Sequence, residues 1–182
     1  MGFVPNLISL ARLLSVPVAV WLILAGHLSF AFWLFVAAGV SDALDGFIAK
    51  RYAARSTLGG YLDPLADKAL LVSVYVTLGY EGAVQIWLVI LIVFRDILII
   101  GGALLYQTLT QALRMEPLLI SKINTLAQIL LAALLLARPG LGLEDSAAIE
   151  ILVHVVAATT LLSGAAYVVK WGMRAARLED RE

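Results

Sequence analysis

Residues 41–67 read SDALDGFIAKRYAARSTLGGYLDPLAD, and they introduce charge into an otherwise apolar chain. The stretch contains four aspartates, Asp42, Asp45, Asp63 and Asp67, with a basic segment between the two pairs. Aspartates three or four residues apart share one face of a helix. If two antiparallel helices meet at the basic segment, a rise of about 1.5 Å per residue places all four carboxylates within about 14 Å of the turn. The spacing therefore predicts four converging carboxylates near one end of a helical hairpin.

The rest of the chain is more apolar than soluble domains are. Of its 182 residues, 62% are hydrophobic and 14% are charged, and the mean hydropathy is +0.97. Soluble domains are about 45–50% apolar and about 25% charged. Thirteen basic residues balance thirteen acidic ones, and the chain has no cysteine. This composition excludes a nucleic-acid-binding module and a thiolate metal site, and it predicts an integral membrane protein.

Six apolar runs are long enough to cross a bilayer, for which a helix needs about 20 residues. They are residues 7–26, 29–50, 61–80, 84–106, 119–138 and 150–171. The longer connections are residues 51–60, 107–118 and 139–146, the last of which begins with the turn signal Pro-Gly. The predicted fold class is all-α, a six-helix transmembrane bundle with an N-terminal amphipathic segment. We expect a single membrane domain that comprises residues 1–182.

Basic residues at the ends of the apolar runs and between them are distributed unevenly. One side of the predicted membrane carries Lys50, Arg51, Arg55, Arg114, Lys170, Arg174, Arg177 and Arg181, and the other carries only Arg138. Because Lys and Arg are enriched in cytoplasmic loops, we expect the first side, with both termini and the aspartates, to be cytoplasmic. The first residues lack the features of a secretory signal and of a transit peptide, so we expect a bacterial inner membrane.

Charged residues inside the predicted spans indicate a function. They are Arg12, Asp42, Asp45, Asp63, Asp67, Lys68, Arg95, Asp96 and Lys122. A charge at the bilayer centre costs about 2.5–3.5 kcal/mol on insertion scales, so these residues should face the bundle interior or a wet cavity. Neighbouring carboxylates repel one another unless they are protonated or bind cations. An all-oxygen set suits Mg²⁺, Mn²⁺ or Ca²⁺, and four carboxylates suffice for two metals. Interhelical hydrogen bonding and a cation or proton pathway are the alternatives.

The spacing from Asp42 to Asp67 resembles a known signature. In this chain it reads D-x2-D-G-x2-A-K-x8-G-x3-D-x3-D. This is similar to the signature of the CDP-alcohol phosphotransferases, which have Arg at the position of Lys50. Lysine keeps the charge but lacks the planar fork that binds phosphate through two parallel hydrogen bonds. Arg51 follows directly and is available for the same task.

The resemblance implies a set of site residues and two divalent cations, Mg²⁺ or Mn²⁺. The implied metal ligands are Asp42, Asp45, Asp63 and Asp67. Asp67 is also the implied base that activates the acceptor hydroxyl. The residues implied to line the CDP pocket are Gly46, Ala49, Lys50 and Gly59. The resemblance further implies release of CMP and a homodimer.

Two later blocks resemble the eukaryotic-type cardiolipin synthase branch of this family. They are Phe94-Arg95-Asp96 and residues 117–125, which read PLLISKINT. This branch transfers a phosphatidyl group from CDP-diacylglycerol to phosphatidylglycerol. Because this acceptor is an anionic lipid, its binding site needs cationic side chains. The candidate acceptor-binding residues are Arg95, Lys122, Arg51, Arg12 and Asn124. Pairing within the membrane, such as Arg95 with Asp96 or Lys68 with Asp67, is the alternative role for these cations.

Other functions remain open at this point. A phosphatidylglycerophosphate synthase would use the same aspartates with glycerol 3-phosphate as the acceptor. A cation or proton transporter would use them as a pathway, and an assembly protein would have lost the activity. We expect CDP-diacylglycerol, an anionic lipid and the membrane as partners, and no nucleic acid.

Overall fold

A computed structural model describes the backbone of residues 3–52, 59–110, 118–141 and 147–179. Side chains are described for residues 8–41, 66–102, 118–138, 147–171 and 173. The described residues form six α-helices and contain no strand. Where the connection between two helices is described, it is a short turn. The helices are α1 (Phe3–Leu24), α2 (Leu28–Tyr52), α3 (Gly59–Tyr80), α4 (Ile86–Thr110), α5 (Leu119–Leu141) and α6 (Ala147–Glu179). The all-α prediction is confirmed, and each helix overlaps one of the six predicted runs.

Several predicted boundaries were wrong. Helix α5 continues past Pro139 to Leu141, whereas we predicted an irregular segment from residue 139 onward. A proline removes one backbone hydrogen bond, and this helix ends within two residues of it. Helices α4 and α6 extend beyond their apolar runs to Thr110 and Glu179. Hydropathy marks the part of a helix that suits lipid, but backbone hydrogen bonding continues into flanking polar residues. The predicted N-terminal amphipathic segment is continuous with the first apolar run, because helix α1 begins at Phe3 and includes both.

Two glycines with positive φ end the first and third helices. Gly26 has a φ of 75°, and His27 N–H donates to the carbonyl of Leu22 at 2.8 Å. Gly82 has a φ of 74°, and Ala83 N–H donates to the carbonyl of Leu78 at 2.9 Å. This is the pattern of a Schellman cap, in which glycine adopts the left-handed conformation without a Cβ clash. The caps allow the connections to be as short as the sequence predicted.

The chain divides into two compact units. The first comprises Met1–Gln85 and Ala132–Ser146, and the second comprises Ile86–Leu131 and Ala147–Glu182. In the first unit α1 packs against both α2 and α3, and more extensively against α3. Its fully or almost fully buried side chains include Ala19, Ile23, Ala31, Ala66, Val74, Tyr75 and Leu78. Helix α1 is therefore the common support for the two helices that carry the aspartate signature.

In the second unit α4 packs against α6. The contact is closest at Gly102, where an added Cβ would overlap the indole ring of Trp171. Tyr167 packs against the same indole with its ring tilted by 57°, at 5.5 Å between ring centroids. Gly102 therefore marks a site of close helix packing, while Gly101 has open space beside it.

Two helices of the described part are long and apolar enough to cross a membrane. They are Leu119–Arg138 and Ala147–Trp171, each with a hydropathy of 1.8. Ile8–Leu24 and Leu28–Ser41 are shorter apolar segments. The prediction of six membrane spans stays a prediction.

Candidate active site

The backbone places the four aspartates on two helices that share one neighbour. Asp42 and Asp45 lie in α2, and Asp63 and Asp67 lie in α3. Each pair therefore shares one helix face, as the spacing predicted. The side chains of Asp42, Asp45 and Asp63 lie outside the described residues. Because α2 and α3 both pack against α1, all four aspartates belong to the first unit.

The Asp67 side chain forms an ion pair with Arg12 of α1. Arg12 Nη1 donates to Asp67 Oδ1, which joins residues 55 positions apart in the sequence. The Arg12 side chain is 3% exposed, whereas the Asp67 side chain is 42% exposed. A buried guanidinium is stable only when a carboxylate compensates its charge. Arg12 therefore holds Asp67 from the buried side, and much of the Asp67 side chain stays accessible.

The sequence did not predict this pairing. We had placed Arg12 among the acceptor-binding residues, and that role stays a prediction. No local period links α1 to α3. One signal was available, because a cation inside an apolar helix needs an acidic partner within reach.

A cavity of about 260 Å³ lies beside Arg12, between α1 and α2. It is lined by Ile8, Ala11, Arg12, Ser15, Leu34, Ala37, Ala38 and Ser41. Ser15 Oγ donates to the Arg12 carbonyl at 2.6 Å, and Ser41 Oγ donates to the Ala37 carbonyl at 2.7 Å. Both hydroxyl hydrogens are thus used by the helix backbone. Ser41 directly precedes Asp42, so the cavity adjoins the start of the signature.

The residues predicted to line the CDP pocket follow Asp45 along the chain. Gly46, Ala49, Lys50 and Arg51 lie in α2, and Gly59 is the first residue of α3. Their side chains fall outside the described residues. The roles we predicted for them stay predictions.

The donor set of the signature fits a hard divalent cation. Carboxylate oxygens are the ligands that Mg²⁺ and Mn²⁺ prefer. The residues whose side chains are described contain no group of three or more metal-ligating side chains, and among the four predicted ligands they include only Asp67. The Asp67 side chain is 42% exposed, so burial does not keep a metal ion away from it.

A second polar cluster lies in the second unit, around Arg95 of α4. The Arg95 side chain is 3% exposed and donates from Nη1 to Asp96 Oδ1 at 2.8 Å. It also donates from Nε to Ser163 Oγ at 3.2 Å and from Nη2 to the hydroxyls of Ser121 and Ser163. One guanidinium therefore connects α4 with α5 and α6. The alternative we raised for Arg95, pairing with Asp96, is present.

The other predicted acceptor residues of this unit, Asn124 and Lys122, are not among the described hydrogen-bond partners of Arg95. Asn124 is fully buried, and its Oδ1 accepts from the hydroxyls of Thr159 and Thr160, each at 2.9 Å. Among the described residues, none accepts a hydrogen bond from Asn124 Nδ2. Lys122 is exposed, and its ammonium group has no hydrogen bond or ion pair within the described part of the chain. The roles of all three residues in acceptor binding stay predictions.

Sequence analysis missed the polar residues of α6. Thr160 and Ser163 are fully buried and supply the partners of Asn124 and Arg95. With Thr159 they form a Thr-Thr-x-x-Ser pattern in a helix that is otherwise apolar at its centre. Polar residues at this spacing face one side of a helix, and that pattern was the available signal.

Comparison with known proteins identifies the class to which this fold and signature belong. The sequence model of the CDP-alcohol phosphatidyltransferase family matches residues 2–169, and the chain belongs to this family. Among individual proteins, it is 37% identical over 180 residues to the cardiolipin synthase (CMP-forming) of Homo sapiens, covering 90% of this chain and 60% of the human protein.

Relatives with a second name are almost as similar. The chain is 35% identical over 185 residues to the chloroplastic CDP-diacylglycerol–glycerol-3-phosphate 3-phosphatidyltransferase 1 of Oryza sativa subsp. japonica, covering 92% of this chain and 56% of that protein. It is 34% identical over 149 residues to the CDP-diacylglycerol–glycerol-3-phosphate 3-phosphatidyltransferase of Cereibacter sphaeroides, covering 78% and 65%. The chain thus spans 56% to 65% of the length of these relatives.

Proposed function

We propose that the protein is a membrane-embedded cardiolipin synthase that transfers a phosphatidyl group from CDP-diacylglycerol to phosphatidylglycerol and releases CMP. The observation that carries the proposal is the complete aspartate signature on α2 and α3, with Asp67 half exposed and anchored by Arg12. The name of the human relative, cardiolipin synthase (CMP-forming), supports cardiolipin and CMP as the products. The residues of α2 and α3 support the chemistry.

The reaction assigns a separate task to each group of residues. Asp42, Asp45 and Asp63, together with Asp67, would hold two divalent cations, and these would supply charge neutralisation at the pyrophosphate. Gly46, Ala49 and Gly59 have little side-chain bulk, so they let the nucleotide approach the helix backbone. Lys50 and Arg51 supply positive charge to the phosphates. The main contribution of the site is positioning and charge compensation.

Asp67 is the residue proposed to move the proton. The terminal hydroxyl oxygen of phosphatidylglycerol forms a bond to the phosphatidyl phosphorus, while the bond from that phosphorus to the CMP oxygen breaks. The hydroxyl proton passes to the Asp67 carboxylate. General-base catalysis of this kind contributes about 10²- to 10⁴-fold. The displacement needs no covalent enzyme intermediate.

For the acceptor phosphate we propose two roles: Lys122 is the exposed binding cation, and Arg95 is the buried cation that positions Ser121 beside it. Arg95 is held in place by Ser121 and Ser163, so its guanidinium is preorganised. Lys122 follows Ser121 directly and keeps an exposed ammonium group. Asn124 would contribute an amide donor.

The second candidate is a phosphatidylglycerophosphate synthase that uses glycerol 3-phosphate. The rice and Cereibacter relatives favour it, because their names give glycerol 3-phosphate as the acceptor. Both candidates use the same aspartates and the same leaving group, so they differ only in the acceptor. Family membership favours either of them over a cation transporter.

We further propose that all six helices cross the membrane, that the aspartates face the cytoplasm of a bacterium, and that the protein is a homodimer. Large apolar side chains are exposed on the helices, as lipid contact requires; examples are Trp21, Phe30, Trp33, Ile97, Ile123 and Leu161. Because the chain has no cysteine, single cysteines can report topology without background. In intact spheroplasts, an impermeant maleimide should label Glu81→Cys but not Arg55→Cys. The reverse pattern would overturn the orientation.

The activity is tested with the full chain in detergent micelles, with CDP-diacylglycerol, Mg²⁺ or Mn²⁺, and either acceptor. CMP release and the lipid products are measured, and EDTA is the control for metal dependence. Cardiolipin formed only with phosphatidylglycerol would support the first candidate. Phosphatidylglycerophosphate formed from glycerol 3-phosphate would replace it with the second. No CMP with either acceptor would overturn both.

A further inference from the structure

We infer that Arg12 is a positioning residue, which acts by fixing the Asp67 carboxylate and not by binding the acceptor phosphate. The inference rests on the proposed function, since it takes Asp67 as the metal ligand and base. It changes the role we predicted for Arg12 from its charge alone.

Arg12 is buried, and burial ties it to Asp67. The Arg12 side chain is 3% exposed, and Ser9, Ala66, Leu70 and Leu71 are further buried residues of the same two helices. Its partner Asp67 is 42% exposed. A charged group in a low-dielectric interior stays with its counter-ion, because separation leaves an uncompensated charge. Arg12 is therefore poorly placed to leave Asp67 for a substrate, while Asp67 can reach a ligand without leaving Arg12.

Arg12 also determines the side from which Asp67 is held. Arg12 Nη1 binds Oδ1 of Asp67 from α1, the helix against which α3 packs most extensively. A guanidinium is a planar donor that fixes the orientation of a carboxylate better than an ammonium group does. This bond fixes the position of Asp67 Oδ1 relative to α1. Preorganising a reacting group in this way raises the rate of the chemical step, and a displacement of 1 Å can cost about 10²-fold.

The competing role makes a different kinetic prediction. Arg12 also lines the cavity of about 260 Å³ between α1 and α2, where an acceptor phosphate would have to bind it directly. Loss of such a contact would raise the KM for the acceptor. Loss of a positioning residue would lower kcat and leave that KM nearly unchanged. The ratio of the two effects separates the roles.

The kinetic test uses Arg12→Met and Arg12→Lys in the full chain, with Ser15→Ala as the matched control. Ser15 lines the same cavity, and its hydroxyl bonds to the Arg12 carbonyl. We expect Arg12→Met to lower kcat by about 10²-fold, with Arg12→Lys intermediate because it keeps the charge without the fork. Ser15→Ala should stay near wild type. A raised acceptor KM at wild-type kcat would overturn the inference.

A second measurement does not need turnover. Mn²⁺ binding is followed by electron paramagnetic resonance, and Arg12→Met is made both in the wild type and in Asp67→Asn. If Arg12 acts through Asp67, it should shift the Mn²⁺ dissociation constant by about threefold or more in the wild type and little in Asp67→Asn, as coupled neighbours do. Equal shifts in both backgrounds would overturn the inference. Protein that binds Mn²⁺ with this coupling but releases no CMP would overturn the proposed function alone.

Discussion

The two units each contain a buried arginine beside an aspartate, and the two pairs differ in the exposure of the acid. Asp67 of the first unit is 42% exposed, whereas Asp96 of the second unit is 4% exposed. The first pair joins two helices far apart in the sequence, and the second joins neighbours along one helix. The arginines themselves are equally buried. Exposure of the acid thus separates a carboxylate that can meet a ligand from a buried one that compensates the charge of Arg95.

The largest effect expected from this comparison is on the exposed acid. Asp67→Asn should lower kcat for CMP release by about 10²- to 10⁴-fold, because the general base is lost. Asparagine still offers an oxygen to Arg12, so we expect only a modest fall in the thermal unfolding midpoint. Steady-state kinetics and a melting curve in detergent measure the two effects. Wild-type kcat in this variant would remove Asp67 from the chemistry.

For the buried pair of Arg95 and Asp96 we expect a large effect on stability. Arg95→Met removes the cation that pairs with Asp96 and the donor that binds Ser121 and Ser163. Breaking a buried ion pair costs about 3–5 kcal/mol, so the unfolding midpoint should fall further than in Asp67→Asn. Arg95→Lys should fall less. An unchanged midpoint would mean that Arg95 does not hold these helices together, and an acceptor role alone would remain.

A smaller loss of stability is expected at the closest helix contact of the second unit. Gly102→Ala places a methyl group against the Trp171 ring and should cost about 1–3 kcal/mol. Gly101→Ala is the matched control, because nothing lies within 4 Å of its added Cβ. Alanine favours a helix over glycine by about 0.5–1 kcal/mol, so this control should be neutral or stabilising. Equal unfolding midpoints for the two variants would contradict the close packing of α4 on α6.

The smallest structural effect is expected at Lys122. This residue is exposed and makes no ion pair with the described residues, so Lys122→Ala should change stability by less than about 0.5 kcal/mol. If it binds the acceptor phosphate, the KM for phosphatidylglycerol should rise while the KM for CDP-diacylglycerol stays constant. Titration of each lipid at saturating levels of the other measures this. Equal increases in both values would exclude a role in acceptor choice.

The positions of the helices were predictable from the sequence alone. Each apolar run predicted one helix, since hydropathy is a local property of the sequence. In apolar surroundings the backbone N–H and C=O groups must bond to each other, which favours a helix. The aspartate spacing likewise predicted the family and placed the signature on consecutive helices. The helix ends were predicted less well, as at Pro139 and Thr110, because helices continue past the apolar residues that reveal them.

The partners of the buried charges were decided only by the tertiary structure. Arg12 and Asp67 are 55 residues apart, and Arg95 and Ser163 are 68 apart. No periodicity in the sequence connects residues at such distances. Which face of α1 meets α3, and which face of α6 meets α4, depends on how side chains interlock along the whole helix. The sequence therefore determined which residues carry charge and on which helices, and helix packing determined which charges meet and which stay accessible to a ligand.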